Sequence, residues 1–143
     1  MQQLGNTEQA STLLYLPTAP IVDPTNTTDY QSLVKLNGNH WRKILIILAK
    51  LQCPDQNWRD YRDQQLLEQR EAISFKNHLE PGNKFHIVAG KASWQRLGLD
   101  LADFHPLEES GRLYQKGRIF LTPYPDYRQF PNQLIELLRP RLK

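Results

Sequence analysis

Cysteine is nearly absent: Cys53 is the only one among 143 residues. A single thiol excludes an internal disulfide framework and the paired-cysteine patterns of structural zinc sites, so the interior must rest on apolar packing. Long hydrophobic runs are missing as well. None approaches the roughly 18 residues of a membrane span, and residues 1–10 lack both the basic start and the apolar stretch of a secretory signal. A soluble, cytoplasmic protein with no membrane partner is expected. Lys and Arg are missing from the first 34 positions, which carry Glu8, Asp23 and Asp29 within a chain of net charge +3. The basic charge sits downstream, where residues 111–143 hold seven Lys and Arg against Asp126 and Glu136. That distribution fits a polyanionic partner, and it also fits a plain solvated surface.

What is present is apolar patterning for one domain. With 39% hydrophobic residues, a chain of this length can bury roughly 68–70% of its unfolded surface and needs no staple. Residues 1–11 are polar and aperiodic and read as a disordered N-terminal arm. Residues 12–143 read as a single α/β domain. Leu13, Leu14, Tyr15 and Leu16 form a short strand closed by Pro17 and Pro20. A helix capped by Thr27 or Thr28 then runs to Leu36 and ends at Asn37-Gly38. Asn39 caps a helix over 40–52 in which Trp41, Ile44, Leu45, Leu48 and Leu51 share a face that Ile46, Ile47 and Ala49 widen. This helix is expected at the centre of the core, and Cys53-Pro54 stops it. Residues 57–79 read as a second long helical stretch, opened by Asn57 and Asp60 as a capping pair.

Residues 84–89 alternate around Phe85, Ile87 and Val88 as a central strand, and Gly90-Lys91-Ala92-Ser93 turns directly into a short helix ending at Gly98. A short strand over 112–115, a strand over 118–122 and an amphipathic helix over 132–139 complete the chain. Strands alternating with helices predict a three-layer α/β sandwich, with a short, mostly parallel central sheet and helices on both faces. Ligands of such sheets sit at the carboxyl ends of the strands, which selects the loops 17–29, 90–93 and 123–131.

Few residue patterns carry chemistry. Gly90-Lys91 stands where exposed amides favour an anion, but the glycine five positions before Gly90 and the hydroxyl after the lysine that a P-loop needs are both missing. Nucleotide hydrolysis by that motif is excluded. The favoured reading is that Gly90 lets the helix pack close to the sheet. His40, His78, His86 and His105 are scattered, with no spacing of metal ligands, so neither a metal nor another cofactor is expected. Cys53, at the end of an apolar helix, reads as a buried thiol. The most informative segment is 122–131. Pro123, Pro125 and Pro131 stiffen it, Tyr124, Tyr127 and Phe130 offer ring faces, and Arg128 supplies a planar cation. The segment suits a nucleotide or nucleic-acid contact. Its rings folded back on the sheet edge, with Asp126 and Arg128 paired locally, are the structural alternative.

Three segments, in order, carry a resemblance. Asn39-His40-Trp41-Arg42-Lys43-Ile44-Leu45, Phe85-His86-Ile87-Val88-Ala89-Gly90-Lys91-Ala92 and Thr122-Pro123-Tyr124-Pro125 resemble a helix segment, a central strand and a DNA-wedging loop of the uracil-DNA glycosylase superfamily. The resemblance implies a parallel α/β sheet with its cleft at the strand ends. This sequence departs from that family where the chemistry lies. Leu16-Pro17-Thr18-Ala19-Pro20 lacks the water-positioning carboxylate, leaving Asp23 as the nearest, and Thr122 stands where the family has a histidine or asparagine. At 143 residues the chain is also short for that family.

The expected function is therefore a non-catalytic domain that binds a nucleotide or nucleic acid through residues 122–131, using Tyr124, Asp126, Tyr127 and Arg128 with Lys91 nearby. Two alternatives stand beside it. One is an active base-excising glycosylase, with Asp23 positioning water and Thr122 stabilising the departing base. The other is a protein-interaction module whose aromatic loop and N-terminal arm contact another polypeptide.

Overall fold

The computed structural model describes residues 1–25 and 28–143. The described residues form one seven-stranded mixed sheet and five α-helices. The strands are β1 (Gln3–Leu4), β2 (Thr12–Tyr15), β3 (Glu71–Ser74), β4 (Phe85–Ala89), β5 (His105–Pro106), β6 (Tyr114–Lys116) and β7 (Ile119–Thr122). The helices are α1 (Tyr30–Asn37), α2 (Asn39–Gln52), α3 (Trp58–Gln64), α4 (Lys91–Arg96) and α5 (Asn132–Leu138). The strand order is β1-β3-β2-β4-β7-β6-β5. The four central strands β3, β2, β4 and β7 are parallel, while the pairings at both edges are antiparallel. Parallel pairing is thus confined to the middle, because β6 and β7 are joined by a hairpin turn too short for a crossover. Among the described residues no helix is long and apolar enough to cross a membrane.

Alternation along the strands splits the interior in two. Leu14, Ile73, Ile87 and Phe120 face the larger core with Trp41, Ile44, Leu45 and Leu48 of α2. Leu13, Tyr15, Val88 and Leu121 face the smaller one with Trp94 of α4 and Phe104. Helix α2 lies at the centre, as its wide apolar stripe predicts. Ile44, Leu45 and Leu48 are fully buried, each contributing about 1.5–3 kcal/mol of apolar burial. Gly38 joins α1 to α2 at φ 76° and donates its N–H to Val34 O at 2.7 Å, closing α1 where Asn37-Gly38 predicts.

Four expectations are corrected. Helix α1 is capped by Asp29, whose side chain accepts from Ser32 N at 2.8 Å; Thr28 is not the cap, and Thr27 lies outside the described residues. The helical stretch expected over 57–79 is only α3, capped by Asn57 as expected. Its second half folds back as β3, which pairs in parallel with β2. Residues 1–11 are not a loose arm: Leu4 in β1, Thr7 and Ala10 are buried, and β1 pairs with β3. Finally, the short strand expected over 112–115 is Tyr114–Lys116.

Tyr15 and His86 tie β2 to β4 inside the smaller core. The Tyr15 hydroxyl accepts the Glu80 N–H at 2.9 Å and shares a hydrogen bond with His86 Nδ1, 2.7 Å away. Burial, and next the charge of Lys84, hold His86 below its ordinary pKa, with Glu80 opposing. The folded state therefore keeps this imidazole neutral where the unfolded chain would protonate it. Its contribution to stability is complete above the unfolded pKa of about 6.5 and is lost as pH falls below it, at no more than about 1.4 kcal/mol per pH unit. Chemical denaturation of the wild type and His86→Asn between neutral and mildly acidic pH is expected to show this slope in the wild type only. Equal slopes in both would remove His86 as its source.

Candidate functional site

Strands β4 and β7 are parallel neighbours with Ala89 opposite Thr122, so the segments that follow them leave the sheet side by side. Gly90 N donates to Thr122 O at 2.8 Å. Gly90 has φ +85°, and a β-carbon there would lie 3.3 Å from Cδ1 of Tyr124. Glycine is needed twice over, for the left-handed backbone and for the close approach of the tyrosine ring. His40, in the first turn of α2, meets the same ring: the two are stacked with centroids 5.4 Å apart, and His40 Nε2 lies 2.8 Å from the Tyr124 hydroxyl. Burial raises the pKa of that hydroxyl. Tyr124 is thus wedged between two elements and helps build the wall of the site.

Beside it opens a cleft of about 650 Å³, within the size range of small-ligand sites. Gly90, Lys91, Ala92 and Trp94 form one side, residues 122–124 with Arg128 and Gln129 another, and Ser110, Gly111 and Arg112 the third. The last group comes from the connection between β5 and β6. Glu108 shapes that connection by accepting the N–H of Gly111 at 2.9 Å and of Arg112 at 3.2 Å. It also stands 4.0 Å from the Arg112 guanidinium, which Ser110 Oγ holds at 2.8 Å. Lys91 and Arg128 are exposed and make no ion pair with any described residue. Among the described residues that line the cleft there are three cations and no carboxylate. Trp94, Pro123 and Tyr124 supply apolar surface, so the cleft offers an anion and a flat apolar group adjoining places.

The residues expected at the site separate into two sets. Lys91, Tyr124, Thr122 and Arg128 line the cleft. Asp126 and Tyr127 lie on the other side of the 122–131 loop, against α2. Asp126 accepts Arg128 N at 2.8 Å and stands 3.9 Å from Lys43 Nζ; that backbone bond first, and then the two cations Lys43 and Arg128, hold its carboxyl below the usual range. The Tyr127 ring lies 5.5 Å from Lys43 Nζ and 6.0 Å from Arg42 Cζ. Phe130 is buried in the larger core.

The two groups considered for base excision are engaged elsewhere. Asp23 does not line the cleft; it accepts both the N–H and the hydroxyl of Thr25, at 2.8 and 2.6 Å, which lowers its pKa. The hydroxyl of the buried Thr122 donates to Pro123 O at 2.8 Å. None of the described residues of loop 17–29 lines the cleft. Arg96 of α4 reaches Leu16 O at 3.4 Å and Phe75 O at 3.0 Å, covering the carboxyl ends of β2 and β3. Sequence reasoning missed Arg112, Trp94 and the part of His40. Only the Ser110-Gly111 turn signal hinted at the first, and nothing local announced that His40 would meet a ring 84 positions away.

No curated protein and no solved structure matches the chain. A family model matches it from residue 2 to residue 143. On that match the chain belongs to DUF6942, a family of unknown function.

Proposed function

We propose that the chain is a three-layer α/β domain that holds a nucleotide or single-stranded nucleic acid in the cleft between the Gly90 turn and the 122–131 loop, as a binding and not a catalytic site. The observation that carries this reading is the lining: Lys91, Arg112 and Arg128 stand there with Trp94 and Tyr124, no carboxylate is among the described lining residues, and of the three cations only Arg112 has an ion-pair partner, Glu108 behind the lining. Cations with free donors suit phosphate, and an aromatic wall suits the face of a base. The engagement of Asp23 with Thr25 and of Thr122 with Pro123 supports binding over hydrolysis. The short segments that resemble uracil-DNA glycosylases add support, since 85–92 and 122–125 border the cleft and 39–45 contributes His40 to Tyr124.

Fluorescence anisotropy with labelled single-stranded DNA and RNA, and equilibrium dialysis with free nucleotides, test the reading. Binding should weaken between about 50 and 200 mM salt, as counterion release requires. Arg128→Ala and Lys91→Ala should each weaken it about fivefold, equivalent to ~1 kcal/mol for an exposed charge contact. If neither strands nor nucleotides bind with any salt dependence, or if both variants bind like the wild type, the cleft has another use.

A further inference from the structure

The far side of the 122–131 loop leans on a face built by α2 and α3, where cations are held against aromatic rings more than against carboxylates. The Arg59 guanidinium lies 4.4 Å and Lys50 Nζ 5.0 Å from the ring centre of Trp58. The Arg62 guanidinium lies 4.4 Å from the ring of Tyr30. Lys43 beside Tyr127 joins this cluster to the loop. Among the described residues the carboxylate pairs on this face are Arg62 with Asp63 at 2.9 Å and Lys43 with Asp126 at 3.9 Å. Lys50 donates to the neutral Asn132 at 3.0 Å, and Arg59 forms no ion pair with a described residue.

A ring face fixes a cation for about 0.5–1 kcal/mol at exposed sites without cancelling its charge, which a carboxylate would do. The face is accordingly crowded with like charge: partial burial and then the neighbouring Arg59 make Lys50 give up its proton more readily, with Glu136 opposing. Lys43 and Lys50 stand seven residues apart on α2, about 10.5 Å along its axis. The row therefore runs from the rim of the loop toward Trp58.

We propose that this face carries the phosphate backbone of a single-stranded nucleic acid that leaves the cleft across the 122–131 loop, making the ligand an oligonucleotide instead of a free nucleotide. The inference rests on the cleft reading above and adds a length and a direction to it. Tyr127, 39% exposed at the crossing, is the ring on which a base can stack as the strand passes from one surface to the other.

Oligothymidylates of about 4, 8 and 16 nucleotides and free dTMP, titrated against the full chain, provide the test. Affinity should rise with length. The double variant Arg59→Ala/Arg62→Ala should weaken the longest strand about tenfold and make its log–log salt slope shallower by about 1.4, at 0.7 per phosphate. It should leave dTMP and the shortest strand unchanged. Arg128→Ala should weaken all of them. Affinity independent of length, or a longest strand indifferent to the double variant, overturns the inference while leaving the cleft reading in place. Strand binding that the double variant weakens but Arg128→Ala does not would overturn both, since no strand then enters the cleft. A poly-glutamate peptide that binds as tightly as the longest strand, and loses as much in the double variant, overturns it in favour of an acidic protein partner. Circular dichroism of each variant confirms that the fold is retained.

Discussion

Glu71→Ala is expected to destabilise the domain by about 2–4 kcal/mol, because it orphans two buried donors at once. Glu71 is 1% exposed. One carboxylate oxygen accepts the Tyr61 hydroxyl at 2.5 Å and the other accepts the Leu67 N–H at 2.7 Å. Leu67 sits at φ 67°, a left-handed conformation that costs a branched residue about 1–2 kcal/mol, so the carboxylate also holds a strained turn in place. Glu71→Gln is expected to lose much less. Its amide oxygen can accept from Leu67 while its NH2 donates to the Tyr61 oxygen, keeping both groups satisfied.

The pH dependence separates the two roles of this carboxylate. Burial raises the Glu71 pKa, with the bonds from Tyr61 and Leu67 opposing. The folded state then binds the proton more tightly than the unfolded chain does. The associated stability is present below the unfolded pKa of about 4.3 and is lost as pH rises through the folded value. The glutamine variant lacks this term, so its stability relative to the wild type should improve from acid to neutral pH. Urea denaturation of the three proteins across that range measures both effects. An alanine variant as stable as the wild type would show that β3 is held without this carboxylate.

Lys84→Met should cost about 2–3 kcal/mol and release the N-terminal segment first. Lys84 is 9% exposed, and its ammonium donates to Glu8 O at 2.7 Å and Ala10 O at 2.6 Å. Methionine keeps the length of the stem and removes the donors, leaving two backbone carbonyls without a charged partner; hydrogen bonds to charged groups are worth about 1.5–3 kcal/mol each. Part of that loss is recovered if the segment peels away and rehydrates, so the effect should be uneven along the chain. Hydrogen exchange should accelerate most at residues 2–12, including the Ala10 N–H that Asn6 O accepts at 2.9 Å and the β1 ladder with β3, before α2 is affected. Uniform acceleration throughout, or none at residues 2–12, would mean that the segment is not anchored by this ammonium.

Glu71 and Lys84 also explain where the sequence misleads. Along 57–79 the charged positions look like the solvent side of one long helix, and that reading holds for α3, with Asn57 as its cap. It fails at Glu71, which points inward because Tyr61 and Leu67 meet it there. Residues 1–11 are polar enough to look unstructured, yet the partner that fixes Glu8 and Ala10 lies more than 70 positions away. No window of the sequence contains both halves of that contact. Helix α2, by contrast, is legible from its own spacing, and so is its stop at Cys53, although its N-cap is Gly38 and Asn39, expected as the cap, is its first residue.

The candidate site divides in the same way. Prolines and rings mark 122–131 as a stiff aromatic loop, and Gly90-Lys91 marks a strand-to-helix turn; both border the cleft. Which side of the loop each ring occupies is not a local property. Tyr124 packs over Gly90 and His40, Tyr127 stands against Lys43, and Phe130 enters the core. Asp23 and Thr122 are spent on their own loops, and Arg96 bonds the backbone at the carboxyl ends of β2 and β3. By itself the sequence determined the elements with a strong period, most of their stops, and the concentration of positive charge in residues 111–143. These follow from side-chain spacing and backbone dihedrals, which act over a few residues. Only the tertiary structure decided which charges are buried, which are displayed, and that the 110–112 turn completes the cleft. Burial and charge pairing depend on partners that the fold, and not the neighbouring sequence, brings within a few ångströms.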